Sequence, residues 1–190
     1  MIADNPDEAE IIKAAVSGNS QAFNRLVLAH REGAMVLAMR LLHTLQDAED
    51  VVQDAFIKAW EELPRFRGES AFSSWLYRIV YNLSLNKLRG RKLRHFFRLG
   101  EENDENEVNW NVPSDDPTPD EILISKERQE RLDEALKKLP VKQRAVFVMR
   151  HEQGLSNAEI AEITGRTEGS VKANFSFAVA KLKEAMEEYR

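Results

Sequence analysis

The sequence predicts an all-α protein of two small helical domains joined by a flexible acidic linker, and three observations support this. Apolar residues recur at helical spacing over most of the 190 residues, without the alternation typical of strands. Glycine and proline number only 8 and 6. Residues 100–121 combine three prolines with clustered Asn and Asp and no basic residue, which is typical of a linker. We therefore expect an N-terminal domain at 1–98, a linker at 99–117 and a C-terminal domain at 118–190.

Composition argues against several classes of function. The chain has no cysteine, and its four histidines fall in no ligand spacing, so we expect no metal site and no cofactor. No nucleophile–base pair or glycine-rich phosphate loop points to an enzyme. The N-terminus is acidic and amphipathic, and no apolar run approaches membrane-spanning length. These features predict a soluble cytoplasmic protein without membrane insertion.

Charge is divided sharply along the chain, although the net charge is only −5. Residues 1–62 carry 5 basic and 11 acidic side chains, whereas residues 63–98 carry 9 basic and 1 acidic. Residues 101–121 carry 9 acidic side chains and no basic one, which indicates either simple solvation of a tether or mimicry of nucleic acid. The basic block is the part of the chain suited to bind phosphate.

The helix predicted over residues 46–63 is amphipathic. Asp47 is its expected N-cap, and the apolar positions Val51, Val52, Ala55, Phe56, Ala59 and Leu63 share one face. Its other face carries Glu49, Asp50, Gln53, Asp54 and Glu61. Such a carboxylate face is either plain solvated surface or a docking face for a basic protein.

The next segment pairs a loop with a long basic helix. The loop at residues 63–72 contains Arg65, Phe66, Arg67 and Phe72, which suit the capture of a splayed base. The alternative is that Phe66 and Phe72 only plug the helix junction. In the helix over residues 70–98, the expected core face is Phe72, Leu76, Ile79, Val80 and Leu83.

A second face of this helix forms a polar stripe. At about 100° per residue, it consists of Trp75, Arg78, Asn82, Asn86 and Arg89. An indole stacks on unpaired bases, amides bond base edges and arginines hold phosphate, as binding of single-stranded nucleic acid requires. The alternative is a solvated charged face with a half-buried indole at its rim.

After the linker, helices are predicted over about 120–138, 141–152, 156–163 and 168–187. Ser156 and Glu159 form a capping box at the third, and Gly165 separates it from the fourth, whose N-cap is Thr167. This is a helix-turn-helix pattern, which suits a major groove but also matches ordinary helical hairpins. The apolar face of the last helix is Val171, Phe175, Ala178 and Leu182, which leaves small residues facing outward.

Four segments in this order resemble the extracytoplasmic-function sigma factors of bacterial RNA polymerase: "DAEDVVQDAFIKAW", "FSSWLYRIVYNLSLNKLR", the acidic linker, and "LPVKQRAVFVMRHEQGLSNAEIAEITGRTEGSVKANF". The resemblance covers about residues 10–98 and 122–188. It implies an alternative sigma factor with two domains, sigma region 2 and sigma region 4. Region 2 would bind the clamp of core RNA polymerase and melt the minus-ten element. Region 4 would read the duplex minus-thirty-five element.

The resemblance also implies roles for residues of this chain. Asp50, Gln53 and Asp54 occupy clamp-contact positions. The positions that the resemblance places at the melted minus-ten strand are Asn82, Arg78 and Trp75, together with the base-capturing loop that contains Arg65, Phe66, Arg67 and Phe72. The polar stripe adds Asn86 and Arg89 to this expected site. The recognition-helix positions are Arg166, Thr167, Ser170, Lys172, Ala173, Asn174 and Phe177. The family further implies promoter DNA and an anti-sigma factor as partners, and the linker resembles a connector that threads polymerase channels.

One departure from the family affects the recognition helix. Asn174, Phe177 and Val179 stand where arginines are common in the family. We therefore expect weaker duplex affinity, with more reliance on Asn-to-adenine and apolar-to-thymine-methyl contacts. Two rival functions are a stand-alone helix-turn-helix regulator that binds duplex DNA as a dimer, and a sigma-mimicking adaptor that sequesters the partners of a sigma factor.

Overall fold

A computed structural model describes residues 6–97 and 130–187, and every regular element within these ranges is helical. The prediction of an all-α fold is confirmed. The proposed linker lies outside the described residues. The helices are α1 (Pro6–Val16), α2 (Ser20–Leu42), α3 (Leu45–Glu62), α4 (Phe72–Phe97), α5 (helical over 130–138), α6 (Val141–His151), α7 (Asn157–Thr164) and α8 (Glu168–Glu187), with a 3₁₀ turn at Leu63–Arg65.

The helix-turn-helix has the local geometry that its sequence predicts. The Glu159 amide donates to the Ser156 hydroxyl, and the Glu159 carboxylate accepts from the Ser156 amide at 2.8 Å, which completes the capping box. Gly165 ends α7 in the left-handed conformation, with φ of 64°. The Thr167 hydroxyl then accepts from the Ser170 amide and starts α8. The two helices are therefore separated by a turn of three residues.

The prediction that Asp47 is the N-cap of α3 is wrong. α3 begins at Leu45 after Thr44, and Asp47 lies inside its first turn. The Asp47 carboxylate instead pairs with Lys87 and Arg91 of α4. A carboxylate in the first turn still interacts favourably with the helix dipole, so Asp47 serves both α3 and its contact with α4.

The N-terminal core forms where α2, α3 and α4 pack together. Leu76 and Val80 of α4 are fully buried there, and so are Leu37 and Leu41 of α2. The predicted core face of α4 is confirmed except for Leu83, which is half-buried. Since α4 is held on two other helices, the orientation of its remaining faces relative to the bundle is fixed.

The C-terminal half divides its apolar residues between two clusters. One cluster is separate from the N-terminal core, and it includes Leu136, Phe147, Ala178 and Leu182. Other buried residues join the N-terminal core in one continuous cluster, because α6 packs on α2 and α7 packs on α4. These residues are Ala145, Val146, Val148, Met149, Leu155, Ile160, Ala161, Ile163 and Val171.

The C-terminal end of α2 is a junction between the halves. His43 ends the helix in the left-handed conformation, and its backbone amide donates to the Met39 carbonyl. Arg91 of α4 donates to the Leu42 carbonyl, and Arg144 of α6 donates to the Leu41 carbonyl at 3.0 Å. Cations suit the carbonyl end of a helix, so one arginine from each half caps α2.

Two kinds of feature are absent from the described parts of the chain. No helix among residues 6–97 and 130–187 is long and apolar enough to cross a membrane. Within the same ranges, no three histidine or acidic side chains are grouped so that they could hold a metal ion.

Candidate nucleic-acid interface

Three aromatic rings lie together where the loop after α3 meets the start of α4. The ring centroids of Phe66 and Trp75 are 5.1 Å apart, and those of Phe72 and Trp75 are 5.6 Å apart. Phe66 and Trp75 are half-buried, whereas Phe72 is only 2% exposed and also contacts the His30 ring. Phe72 therefore supports the two outer rings and does not reach the surface. Arg65 and Arg67 are exposed on the same loop.

The polar stripe continues from this aromatic group along α4. Asn82, Asn86 and Arg89 are all exposed, and Arg89 donates to the Asn86 side-chain oxygen at 3.3 Å. Arg78 is partly exposed. An aromatic end, two amides and two guanidinium groups thus lie along one side of a rigid helix. This arrangement suits a strand whose bases stack at one end and whose phosphates follow the helix.

The basic residues beside the stripe do not all face outward. Arg91 bonds Leu42, Thr44 and Asp47, so it ties α4 to the end of α2 and the start of α3. Lys87 pairs with Asp47 and Asp50, at 2.9 Å in each case. Although burial acts to raise the pKa of Asp47, the Lys87 hydrogen bond and the Arg91 charge hold it below its usual value. Arg91 belongs to the basic block that the sequence predicts to bind phosphate, but its guanidinium is engaged by the protein.

The acidic face of α3 lies on the outside of the same bundle. Asp50, Gln53 and Asp54 are exposed on neighbouring turns, as the helical period predicts. Asp50 is partly neutralised by Lys87, whereas Gln53 and Asp54 face solvent more freely. One side of α3 therefore carries exposed carboxylates that suit a basic partner. On its other side, Asp47 forms ion pairs with α4.

The outer face of α8 presents a mixture of small, polar and aromatic side chains. Phe177 is 59% exposed, which is unusual for an aromatic ring in a folded domain. Lys172, Ala173 and Phe177 are exposed on this face, and Ser170 and Asn174 are half-buried. The Asn174 amide nitrogen donates to the Ser170 carbonyl at 2.7 Å, so its side-chain oxygen is the atom turned to other partners.

Several contacts near these surfaces have no signal in the sequence, because they join residues far apart in the chain. Arg78 lies 4.0 Å from the Glu162 carboxylate of α7, and buried Ser74 donates to Glu159 at 3.3 Å. Burial raises the pKa of Tyr81 of α4, and the positive charge of nearby Arg166, at the turn before α8, acts against this rise. The structure therefore brings the stripe of α4 and the start of the helix-turn-helix together.

Comparison with known proteins agrees with this architecture. The family described as Sigma-70 region 2 matches residues 26–94, and the family described as Sigma-70, region 4 matches residues 129–182. RNA polymerase sigma-H factor of Pseudomonas aeruginosa is 30% identical over 98% of this chain and 97% of its own length. ECF RNA polymerase sigma factor SigW of Bacillus subtilis is 31% identical over 85% of this chain and 87% of its own length.

A solved structure has the same arrangement of helices. The sigma factor RpoE of Bartonella quintana, crystallised with the anti-sigma factor NepR, aligns with a TM-score of 0.72 and 25% identity. The alignment covers 88% of this chain and 98% of that one. These matches extend through both halves of the chain. The chain belongs to the extracytoplasmic-function family of bacterial RNA polymerase sigma factors, and it is an alternative sigma factor that acts in transcription initiation.

Proposed function

We propose that the N-terminal half, residues 1–98, binds the polymerase clamp and the melted minus-ten strand, and that residues 118–190 read the duplex minus-thirty-five element. Residues 99–117 would connect the two. The observation that carries the proposal is the position of the α4 stripe, with exposed Asn82, Asn86 and Arg89 beside an aromatic group on a well-packed helix. A duplex-only regulator has no use for such a surface.

In the minus-ten site, each kind of side chain has a distinct task. Phe66 and Trp75 would stack on or wedge between bases, with Phe72 supporting them from the core. Asn82 and Asn86 would bond base edges that become accessible only after strands separate. The cationic members would bind phosphates along the strand, and they are Arg65, Arg67, Arg78 and Arg89.

In the minus-thirty-five site, α8 would enter the major groove by its N-terminal face. Phe177 and Ala173 would contact thymine methyl groups, and the Asn174 oxygen would accept from an adenine amino group. Arg166, Thr167, Ser170 and Lys172 would hold the flanking phosphates. Few cations line this face, so specific duplex affinity would depend on the attachment of the chain to polymerase.

The acidic face of α3 is the proposed contact with polymerase, through Asp50, Gln53 and Asp54. Changing Asp54 to Lys reverses an exposed charge and leaves the buried face of α3 intact. We expect loss of core binding with unchanged helicity, because like charges then face each other. Reversal of Glu10, an exposed carboxylate on α1, is the matched control. Normal core binding by the Asp54 variant would exclude α3 as the clamp contact.

An anti-sigma factor is a further proposed partner, because the structurally similar RpoE was crystallised with one. The chain itself would supply binding free energy and no catalytic step, since polymerase carries the chemistry. Its place of action would be the cytoplasm, where polymerase and promoters meet.

The decisive experiment is in vitro transcription with purified chain, sigma-free core polymerase and a genomic promoter library. Transcripts that start at defined sites only when the chain is present would support the proposal. The absence of any defined start would contradict it. A footprint by the chain alone on a palindromic duplex would instead favour a stand-alone regulator, and inhibition of another sigma factor without initiation would favour an adaptor.

Asn82→Ala separates strand opening from polymerase binding. Asn82 is exposed, so we expect core affinity and folding to be unchanged. Open-complex formation should fall, because an amide contact made only with unpaired bases is lost. Permanganate reactivity of melted thymines measures this, and Asn24→Ala on the exposed surface of α2 is the control.

A further inference from the structure

Three side chains form a small patch on the outer face of α8. Ala173 and Phe177 are one helical turn apart, and Asn174, three residues before Phe177, is a neighbour of both. Ala173 is exposed and Phe177 is 59% exposed, whereas Asn174 is half-buried. A hydrogen-bonding amide is thus flanked by two exposed apolar side chains. We call these three residues the α8 patch.

Contacts within α8 fix which atom of the Asn174 amide faces outward. Its nitrogen donates to the Ser170 carbonyl at 2.7 Å and lies 3.4 Å from the Ser170 hydroxyl oxygen. The donor end of the amide is therefore used within the helix, and the oxygen, an acceptor, is left for an outside partner. An asparagine that contacts adenine by two hydrogen bonds needs both ends of its amide. Asn174 is suited instead to accept a hydrogen bond from an amino group alone.

The α8 patch carries no charge of the kind that usually recognises guanine. Arginine and lysine bind the two acceptors of guanine in the major groove. Asn174 and Phe177 are neutral and stand where arginines are common in the family. Lys172 is exposed beside the patch, at its flank, where a phosphate is the nearer partner. The patch therefore suits a base edge that carries an amino group and a methyl group.

Base pairs differ in whether they present an amino group and a methyl group together in the major groove. An A·T pair carries the amino group of adenine and the C5-methyl group of thymine on one edge. A G·C pair carries the amino group of cytosine but no methyl group. Methylation of cytosine at C5 puts a methyl group where thymine has one, next to the amino group. An acceptor flanked by apolar side chains therefore favours the methylated G·C pair over the unmethylated pair.

We propose that the α8 patch recognises C5-methylated pyrimidines, so that methylation of cytosine in the duplex element strengthens binding. Phe177 and Ala173 contact the methyl group, and the Asn174 oxygen accepts from the neighbouring amino group. This combination is supplied either by thymine paired with adenine or by 5-methylcytosine paired with guanine. The proposal rests on the proposed function for the assignment of α8 to duplex DNA, and it adds a dependence on a chemical modification of that DNA.

Selection from random-sequence duplex pools tests the dependence on methylation. One pool is made with cytosine and a second with 5-methylcytosine, and both are selected on the immobilised full chain at low salt, where duplex binding is strongest. We expect the cytosine pool to yield T·A pairs at one or more positions. The methylated pool should yield C·G pairs as well at the same positions. The same enriched sequences from both pools, or none from either, would overturn the proposal.

Affinities for individual duplexes separate the two sources of the methyl group. In the most enriched duplex, each thymine is replaced in turn by uracil, which lacks only the methyl group, and each T·A pair by C·G with or without C5 methylation. Burial of one methyl group corresponds to about 4-fold in affinity, so uracil should bind about 4-fold more weakly than thymine, and 5-methylcytosine about 4-fold more tightly than cytosine. Fluorescence anisotropy measures both differences. A loss with uracil but no gain with 5-methylcytosine would restrict the patch to thymine and overturn the proposal.

The substitution Phe177→Ser links these differences to the α8 patch. The ring is exposed, so we expect unchanged helicity and the disappearance of both affinity differences. Leu28→Ser, which removes a 77% exposed apolar side chain from α2, is the matched control and should retain them. Unchanged differences in Phe177→Ser would overturn the proposal, as would loss of core polymerase binding in their place, which would assign the ring to a protein partner. Failure of the chain to direct transcription would contradict the proposed function but would leave the duplex affinities unaffected.

Discussion

His43 is expected to make the stability of this protein depend on pH. Its ring is largely buried at the junction of α2 with the C-terminal half, and Nε2 has no hydrogen-bond partner in the described parts of the chain. Burial, followed by the charges of Arg144, Lys137, Arg91 and Arg40, lowers the pKa of His43 from 6.5 to about 3. The folded protein therefore keeps this ring neutral under conditions where the unfolded chain protonates it.

The sign and size of the effect follow from this difference in pKa. Between pH 6.5 and about pH 3 the unfolded chain binds the extra proton, so the free energy of unfolding falls as the pH falls. The loss is about 1.4 kcal/mol per pH unit in this window, which gives about 2 kcal/mol at about pH 5. Above pH 6.5 the His43 ring is largely neutral in both the folded and the unfolded chain, so the free energy of unfolding is not reduced there.

The substitution His43→Asn isolates this contribution. Asn does not titrate and tolerates the left-handed backbone at φ of 64° that His43 adopts. Urea unfolding, followed by far-ultraviolet circular dichroism, should show that the variant loses about 2 kcal/mol less than the parent between about pH 7 and about pH 5. His151→Asn, at an exposed position, should behave like the parent. Equal pH dependence in the His43 variant and the parent would refute the reasoning.

Two further predictions concern local backbone structure. Ser156→Ala removes the side chain of the capping box and should cost about 1 kcal/mol in urea unfolding, whereas Ser176→Ala on the exposed face of α8 should change stability by less than about 0.5 kcal/mol. Gly33→Ala should destabilise by about 1–3 kcal/mol, because the new methyl group overlaps the Tyr77 hydroxyl. Gly90→Ala, with nothing within 4 Å of the added atom, should stabilise α4 by about 0.5–1 kcal/mol. Equal thermal midpoints for the two glycine variants would contradict the packing at Gly33.

Local signals in the sequence were sufficient to predict the helix-turn-helix and the exposed faces. Ser156, Glu159, Gly165 and Thr167 act within a few residues of their own positions, so their roles can be inferred from spacing alone. The exposure of Asn82 follows in the same way from the helical period. Propensity, capping and periodicity agree with one another in these segments.

Contacts between distant segments could not be predicted in the same way. Charge counting places Arg91 in a basic run but cannot show that it bonds Asp47 and the end of α2. Periodicity gives one core face for α4, yet Tyr77 and Tyr81 are also buried, and Tyr77 is bonded to a residue 76 positions away. Gly33 is the local feature that could have indicated this contact, because a glycine inside a long helix often marks a place where another segment packs closely against the backbone.

The bonds between α3 and α4 have a consequence for how a polymerase-bound protein meets its promoter. Lys87 and Arg91 join Asp47 and Asp50 of α3 to the same helix that carries Asn82. The two helices therefore keep a fixed angle to one another. If polymerase binds the outer face of α3, as proposed above, it also sets the orientation of α4 and of the amide side chains that this helix carries.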